Sequence, residues 1–422
     1  LTRIIPILIA DWRYWALTHP IECIMQTPAL PTPLLRAPHR IAFLFGMLLA
    51  LLLFAAWFAE LASRLGSHPI LPVVPAVMAH AFLMLYGIFP FFMTGFIFTA
   101  GPRWLGVDGP GRARYLGIPL LMATGLLLWL AALALGSGWL LAGLLIYGCG
   151  FAGLTLTFGQ LILRSQQVNR LHAWMVLCGF VLGLAGLLAG LYWLGSGNAR
   201  GWLLMRDLAL WGFLLPVFLT VCHRMLPFFT VSAMPNIPAW KPDWLLWAML
   251  TGSWLHGLLS VIGLTTLPAD LPFCLLLSYT CSRWQSWRTG QIRLLGMLHL
   301  AFAWLPLAFL LYSLAALLPV SLGLAPLHAI TTGFFISMVI AFVSRVSLGH
   351  AGQALQAPAW LWRLYLAVHG MALLRVATDC LPASWASGAY ALTAVICLLL
   401  LLCWSLRFVR LYLRARSDGK PG

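Results

Sequence analysis

Charge is what this sequence has least of. Asp, Glu, Lys and Arg make up 8% of its 422 residues, and only nine residues are acidic. A soluble domain carries about a quarter charged residues, so no water-facing surface can be assembled from this composition. The acids are as restricted in position as in number. Asp11, Glu22, Glu60, Asp108, Asp207, Asp243, Asp270, Asp379 and Asp418 fall in loops or within a turn or two of the end of an apolar run. Ion-coupled transporters mark their pathways with carboxylates at mid-membrane. Their absence here ranks a small-molecule or metal permease low and argues against a carboxylate-rich two-metal centre. Cysteine spacing excludes more. Cys23, Cys149, Cys178, Cys222, Cys274, Cys281, Cys380, Cys397 and Cys403 form no CxxC or CxxCH, which leaves a zinc ribbon, an iron–sulfur ligand set and covalently attached haem without support. No nucleophile–base pair or phosphate loop is visible either, so no reaction is assigned.

What is present is apolar: 62% of the chain is hydrophobic. At about 20 residues per crossing, twelve runs qualify, at 41–62, 72–100, 116–136, 138–163, 171–194, 203–226, 244–264, 270–284, 294–318, 325–346, 359–378 and 386–412. The expected fold is therefore all-α, a polytopic bundle of about twelve spans in a lipid bilayer. The eighth run, opening Leu271-Pro272-Phe273, is the shortest. Gly136-Ser137-Gly138 and Gly195-Ser196-Gly197-Asn198 predict tight hairpins. Residues 1–40, with Arg3, Trp12, Arg13, Trp15 and several prolines, read as an interfacial arm. Residues 41–412 form the membrane domain and 413–422 a basic tail. The chain opens on Leu1, so the natural start is expected upstream, and no cleavable signal peptide is expected.

A net charge of +16 would suggest nucleic acid in a soluble protein. Here the basic residues stand in short loops between apolar runs, so no nucleic-acid partner is expected. Of the 25 Lys and Arg, all but Arg64, Arg200, Arg206 and Arg375 fall in the N-terminal arm, alternate loops and the C-terminus. That side is cytoplasmic, and both termini lie on it. One missed helix would exchange the sides of everything after it.

Histidine takes the place left by the carboxylates. His80, His256, His328 and His369 fall in the middle or outer half of their runs, and His172, His223, His299 and His350 near cytoplasmic ends. His19, His39 and His68 lie outside the spans. Neutral imidazole suits haem iron and copper, and intramembrane ionisable groups are functional candidates. The plainer reading of each is a hydrogen-bonded residue near a helix end. No two histidines share an i, i+4 spacing, so a metal site must be assembled between helices. The candidate metal ligands are His80, His256, His328 and His350.

Three stretches are unusually specific. One runs from His80-Ala81-Phe82-Leu83-Met84 to Gly101-Pro102-Arg103-Trp104-Leu105-Gly106. Another is His223-Arg224-Met225-Leu226-Pro227-Phe228-Phe229-Thr230. The third runs from His328-Ala329-Ile330-Thr331-Thr332-Gly333-Phe334 to Ser344-Arg345-Val346-Ser347-Leu348-Gly349-His350. Together they resemble the NnrS family, membrane proteins containing haem and copper and linked to the nitric oxide response. The resemblance implies a twelve-span fold in a bacterial inner membrane, haem b, copper and resistance to nitrosative stress. The residues it carries over are His80, Arg224, Pro227, His328, Arg345 and His350, and the cofactor-binding candidates are His80, His223, Arg224, His328, Arg345 and His350. Two departures matter. The family reads His-Ala-His-Glu-Met where this chain has Phe82 and Leu83, and Gly-Gly-Arg where it has Cys222-His223-Arg224. Cys222 and His223 point about 100° apart on a helix, which does not favour chelation of one ion.

Arg224 and Arg345 are interfacial anchors or clamps on haem propionates. Pro90-Phe91-Phe92 and Pro227-Phe228-Phe229 read as helix breaks or interface aromatics. The Thr-Gly-Phe triplets at 94–96 and 332–334 hint at a repeat but are too short to establish one. The loss at Phe82 and Leu83 keeps a second expectation open, a cofactor-poor accessory subunit of a respiratory or nitrogen-cycle complex.

Overall fold

The computed structural model describes residues 33–66, 73–136, 138–319 and 321–417. It is 83% helix, with no strand among the described residues. Most of the expected interfacial arm, His19, His68 and residues 418–422 of the basic tail lie outside the described residues. Twelve helical rods follow one another. They are α1 Pro38–Leu65, α2 Ala76–Leu105, α3 Arg112–Leu135, α4 Gly138–Arg164, α5 Leu171–Ser196 and α6 Ala199–Ala233. There follow α7 Asp243–Val261, α8 Leu267–Arg283, α9 Arg293–Leu317, α10 Ala325–His350, α11 Ala359–Thr378 and α12 Ala383–Leu413. Ten are long and apolar enough to cross a membrane. The exceptions are α8, with 17 residues, and α11, whose 20 residues include Arg363, His369 and Arg375.

Both glycine–serine turns hold. Gly136 (φ 121°) separates α3 from α4. Gly197 (φ 71°) ends α5 in a left-handed conformation that favours glycine, and the Asn198 side chain then caps α6 by accepting from the Arg200 N–H at 2.9 Å. Arg40 donates to the carbonyls of Tyr412 at 3.2 Å and Arg414 at 2.7 Å. The start of α1 and the end of α12 therefore share one face, as an even number of crossings requires.

The rods form three units of four: α1–α4, α5–α8 and α9–α12. Contacts of α4 with α5, α8 with α9 and α12 with α1 close the ring. The second rod of each unit goes to the centre. The most apolar windows of α2, α6 and α10 are 89%, 72% and 78% buried, against 39% for α7 and α12. The peripheral rods turn leucines such as Leu156, Leu163 and Leu188 outward, the surface a bilayer requires. On the axis Phe89, Phe218 and Phe335 meet in a mutual triad, with ring centroids 4.7 to 5.9 Å apart.

The three central rods share irregularities as well as place. Helix α2 breaks at Ile88, just before Pro90. In α6 residues Leu208–Leu214, and in α10 residues Ala329–Ile336, wind as π-helix. The two π segments begin 121 positions apart, and Arg103, Arg224 and Arg345 recur at the same interval. An internal threefold repeat is therefore present. The Thr-Gly-Phe triplets are not its mark: they stand 238 positions apart, one helical turn out of register.

Two further expectations change. His39 is not outside the spans but in the first turn of α1 and buried. Pro227 does not break α6, which continues to Ala233. Contacts beyond the proline hold the extra turns: Phe229 lies under the Arg345 guanidinium and Thr230 pairs with His299 at 2.9 Å.

Candidate functional site

The histidines divide between the two ends of the bundle. At the arginine-poor end the α2 imidazole of His80 stacks on Trp57 of α1, with ring centroids 4.0 Å apart. Its Nδ1 is buried and has no hydrogen-bond partner. His328, in the first turn of α10, lies within electrostatic reach of it. The two imidazoles are nonetheless committed differently. His328 Nδ1 donates to the Leu324 carbonyl at 3.0 Å, and its Nε2 accepts from Arg375 at 3.1 Å. Arg375 is held in turn by Asp379 at 2.8 Å, which also accepts from the Tyr390 hydroxyl at 2.6 Å. Nearby, Glu60 is buried on α1 and accepts from Arg64 at 3.0 Å.

His256 stands apart from this group. Its Nδ1 contacts the buried carboxylate of Asp270 at 2.6 Å, and its ring rests on Trp211 of the α6 π segment at 3.9 Å. The carboxylate fixes the tautomer, with the proton on Nδ1 and the lone pair on Nε2. The second oxygen, Asp270 Oδ2, is buried without a partner.

At the arginine-rich end, two central-rod imidazoles pair with imidazoles on the first rods of the first two units. His350 of α10 lies against His39 of α1, with centroids 4.4 Å apart. His223 of α6 accepts at Nδ1 from His172 Nε2 of α5 at 2.9 Å and donates at Nε2 to the Pro242 carbonyl at 3.1 Å. That direction leaves the buried His172 Nδ1 as an acceptor without a donor. His299 of α9 bonds Thr230 and Ser286. Cys222 turns instead toward the axis, so the two neighbours face different surroundings, as their helical spacing predicted.

Two arginines of the central rods at this end lie on aromatic faces. Arg224 lies 4.8 Å over Trp104, and Arg345 4.1 Å over Phe229. Such contacts are worth about 1–2 kcal/mol when partly desolvated. Neither guanidinium has a carboxylate or hydrogen-bond partner among the described residues. In the loop after α6, burial lowers the Lys241 ammonium below its ordinary value, and the nearby Arg224 adds to this. One turn above Arg345 a cavity of about 50 Å³ opens between the central rods. Its walls include Phe92, Phe96, Phe218, Cys222, Phe342 and Val343, with no histidine. Small-molecule pockets begin at about 300 Å³, so no porphyrin enters it.

The structure thus leaves His80 stacked on Trp57, commits His328 to Leu324 and Arg375, leaves His256 with Asp270, and sends His223 and His350 to separate imidazole pairs. No group of three or more His, Cys, Asp or Glu suited to a metal ion exists among the described residues. The Arg375–Asp379–Tyr390 support of His328 and the Asp270 partner of His256 escaped the sequence reading. Arg375 and Asp379 are spaced i, i+4, which carried a signal. The approach of Asp270 across two helices carried none.

Comparison with known proteins agrees with the three motifs. No curated protein matches the chain. A family model described as NnrS protein matches residues 33–416, nearly its whole length. With the motifs of α2, α6 and α10 each heading or closing a central rod, the chain belongs to the NnrS family.

Proposed function

We propose that this protein spans a bacterial inner membrane twelve times with both termini cytoplasmic, binds haem b through an intramembrane histidine, and serves the response to nitric oxide. The shared face of α1 and α12 and the crowding of arginine on that face support the topology. Family membership supports the physiological theme. The cofactor reading rests on one observation: the buried, partnerless Nδ1 of His80, an uncommitted imidazole nitrogen in an apolar wall. Leaving such an atom unpaired costs about 1–3 kcal/mol unless something binds it. His256 Nε2 is the alternative axial donor, oriented by Asp270 in the way metal-ligating histidines are.

Trp57 fixes the plane of the His80 ring by stacking. Arg375 occupies the His328 lone pair and sets its tautomer, so His328 acts as a neighbour that shapes the site. Bound haem would supply an iron able to take up nitric oxide or relay an electron. Copper is not carried into this reading, because a multi-ligand set is lacking among the described residues.

An absorption spectrum of the purified protein is the test. A Soret band at stoichiometric strength is expected, and His80→Ala is expected to remove most of it while His328→Ala removes less. Absence of the band in the wild-type protein ends the haem reading. Unchanged haem in His80→Ala returns that imidazole to packing and moves the assignment to His256.

A second reading, an accessory subunit that has lost cofactors, is favoured by Phe82 and Leu83. Both are buried, and Phe82 packs on Trp129 at 4.6 Å, so those positions now serve the core. Purification with a haem-containing partner, and with no haem of its own, would support it.

A further inference from the structure

We propose that the arginine-rich end of the central trio holds a binding site for a small planar oxyanion, the class of nitrite, nitrate or bicarbonate, centred on Arg345. The inference goes beyond the haem reading and does not depend on it. Arg345 is 7% exposed. Its only interaction among the described residues is with the face of Phe229 at 4.1 Å. A guanidinium carries five N–H donors and cannot shed its proton, so burying one without an acceptor is costly. Among the described residues no carboxylate pairs with it, and the described ion pairs involve Glu60, Asp207, Asp270 and Asp379. In this proposal the acceptor is a ligand supplied from solution.

The surroundings define its chemistry. Phe229 covers one face of the guanidinium, so a ligand must approach the N–H edge in the plane of the group. That geometry suits two oxygens of a flat anion accepting a bidentate pair. The low exposure admits only a small molecule. Phe229, Phe342, Phe96 and Trp104 form a continuous aromatic chain, with successive centroids 5.7, 5.2 and 5.6 Å apart. Arg345 sits at one end of that chain and Arg224 at the other. Phe96 and Phe342 of that chain line the axial cavity, whose apolar walls bar an anion and hold it at the rim. The 121-residue recurrence sets Arg103 and Arg224 at the equivalent places on α2 and α6. The field of three cations with no paired acid would draw an anion to this rim.

The test is ligand-dependent stability of the full chain in detergent at fixed ionic strength, titrated separately with nitrite, nitrate, bicarbonate, chloride and phosphate. Saturable stabilisation by the planar anions is expected, with little from chloride or phosphate. Arg345→Met should weaken the response about tenfold or more, the loss of one charge-assisted hydrogen-bonded pair. Arg345→Lys, which keeps the charge without the fork, should fall between. Arg200→Met, an exposed arginine at the other end, should leave it unchanged. Equal responses from every salt, or an undiminished response in both Arg345 variants, overturn the proposal. So does stabilisation by phosphate or anionic lipid alone. Haem content is read on the same samples. If haem falls in Arg345→Met while no anion stabilises the wild type, the guanidinium serves a propionate and the oxyanion site does not exist.

Discussion

The two ends of this bundle treat the same side chain in opposite ways. At the arginine-poor end Arg64, Arg206 and Arg375 each reach a carboxylate, at 3.0, 2.8 and 2.8 Å. At the arginine-rich end the described contacts are of another kind. Arg40 and Arg170 bond backbone carbonyls, Arg114 bonds Gln160, and Arg224 and Arg345 lie on aromatic rings. With nine acids against 25 basic residues, neutralisation is rationed, and the described pairs all fall at one end. The lesson is that excess charge here is local. It leaves one end of the bundle with more cations than acids.

The sharpest way to break that comparison is to remove a partner at each end. Asp379→Asn should leave Arg375 and His328 without their anchor and cost about 3 kcal/mol, read as a lowered thermal midpoint in detergent. Arg345→Met, which deletes an unpaired cation, should be neutral or stabilising when no anion is added. If the two variants fall equally, the ends do not differ as the geometry says. A smaller effect tests the repeat's periphery. A Cβ on Gly125 would sit 2.3 Å from the Tyr147 backbone nitrogen, and backbone cannot swing aside. Gly125→Ala should therefore force α3 and α4 apart and cost about 1–3 kcal/mol by the same measurement. Smallest of all, Tyr86→Phe removes one hydroxyl that donates to the Gly183 carbonyl at 2.8 Å. About 1 kcal/mol should be lost, with haem content and anion response unaffected.

Much of the architecture was legible because a bilayer imposes simple rules. All twelve apolar runs became helices, even the short eighth one. Both glycine hairpins stand where they were expected, and Pro90 marks a real break. Of the two readings of Pro227-Phe228-Phe229, the helix break fails because the contacts that carry α6 past the proline come from α9 and α10. The site was less legible for the same kind of reason. His80 and His328 are 248 positions apart, and nothing local says that they approach. Nor does anything local say that Arg375 already occupies the His328 lone pair.

Composition and periodicity by themselves determined that this chain carries apolar helices suited to a lipid bilayer, that its described residues are mostly helical, and at which end of the rods its arginines crowd. Each of these follows from the cost of exposing peptide groups or charges to hydrocarbon, a cost that every segment meets alone. Tertiary structure alone decided which rod of each unit became central, that three units repeat about one axis, and which imidazoles and guanidiniums went without partners. Those outcomes depend on distances between residues hundreds of positions apart. Only the packing of the three units against one another sets such distances.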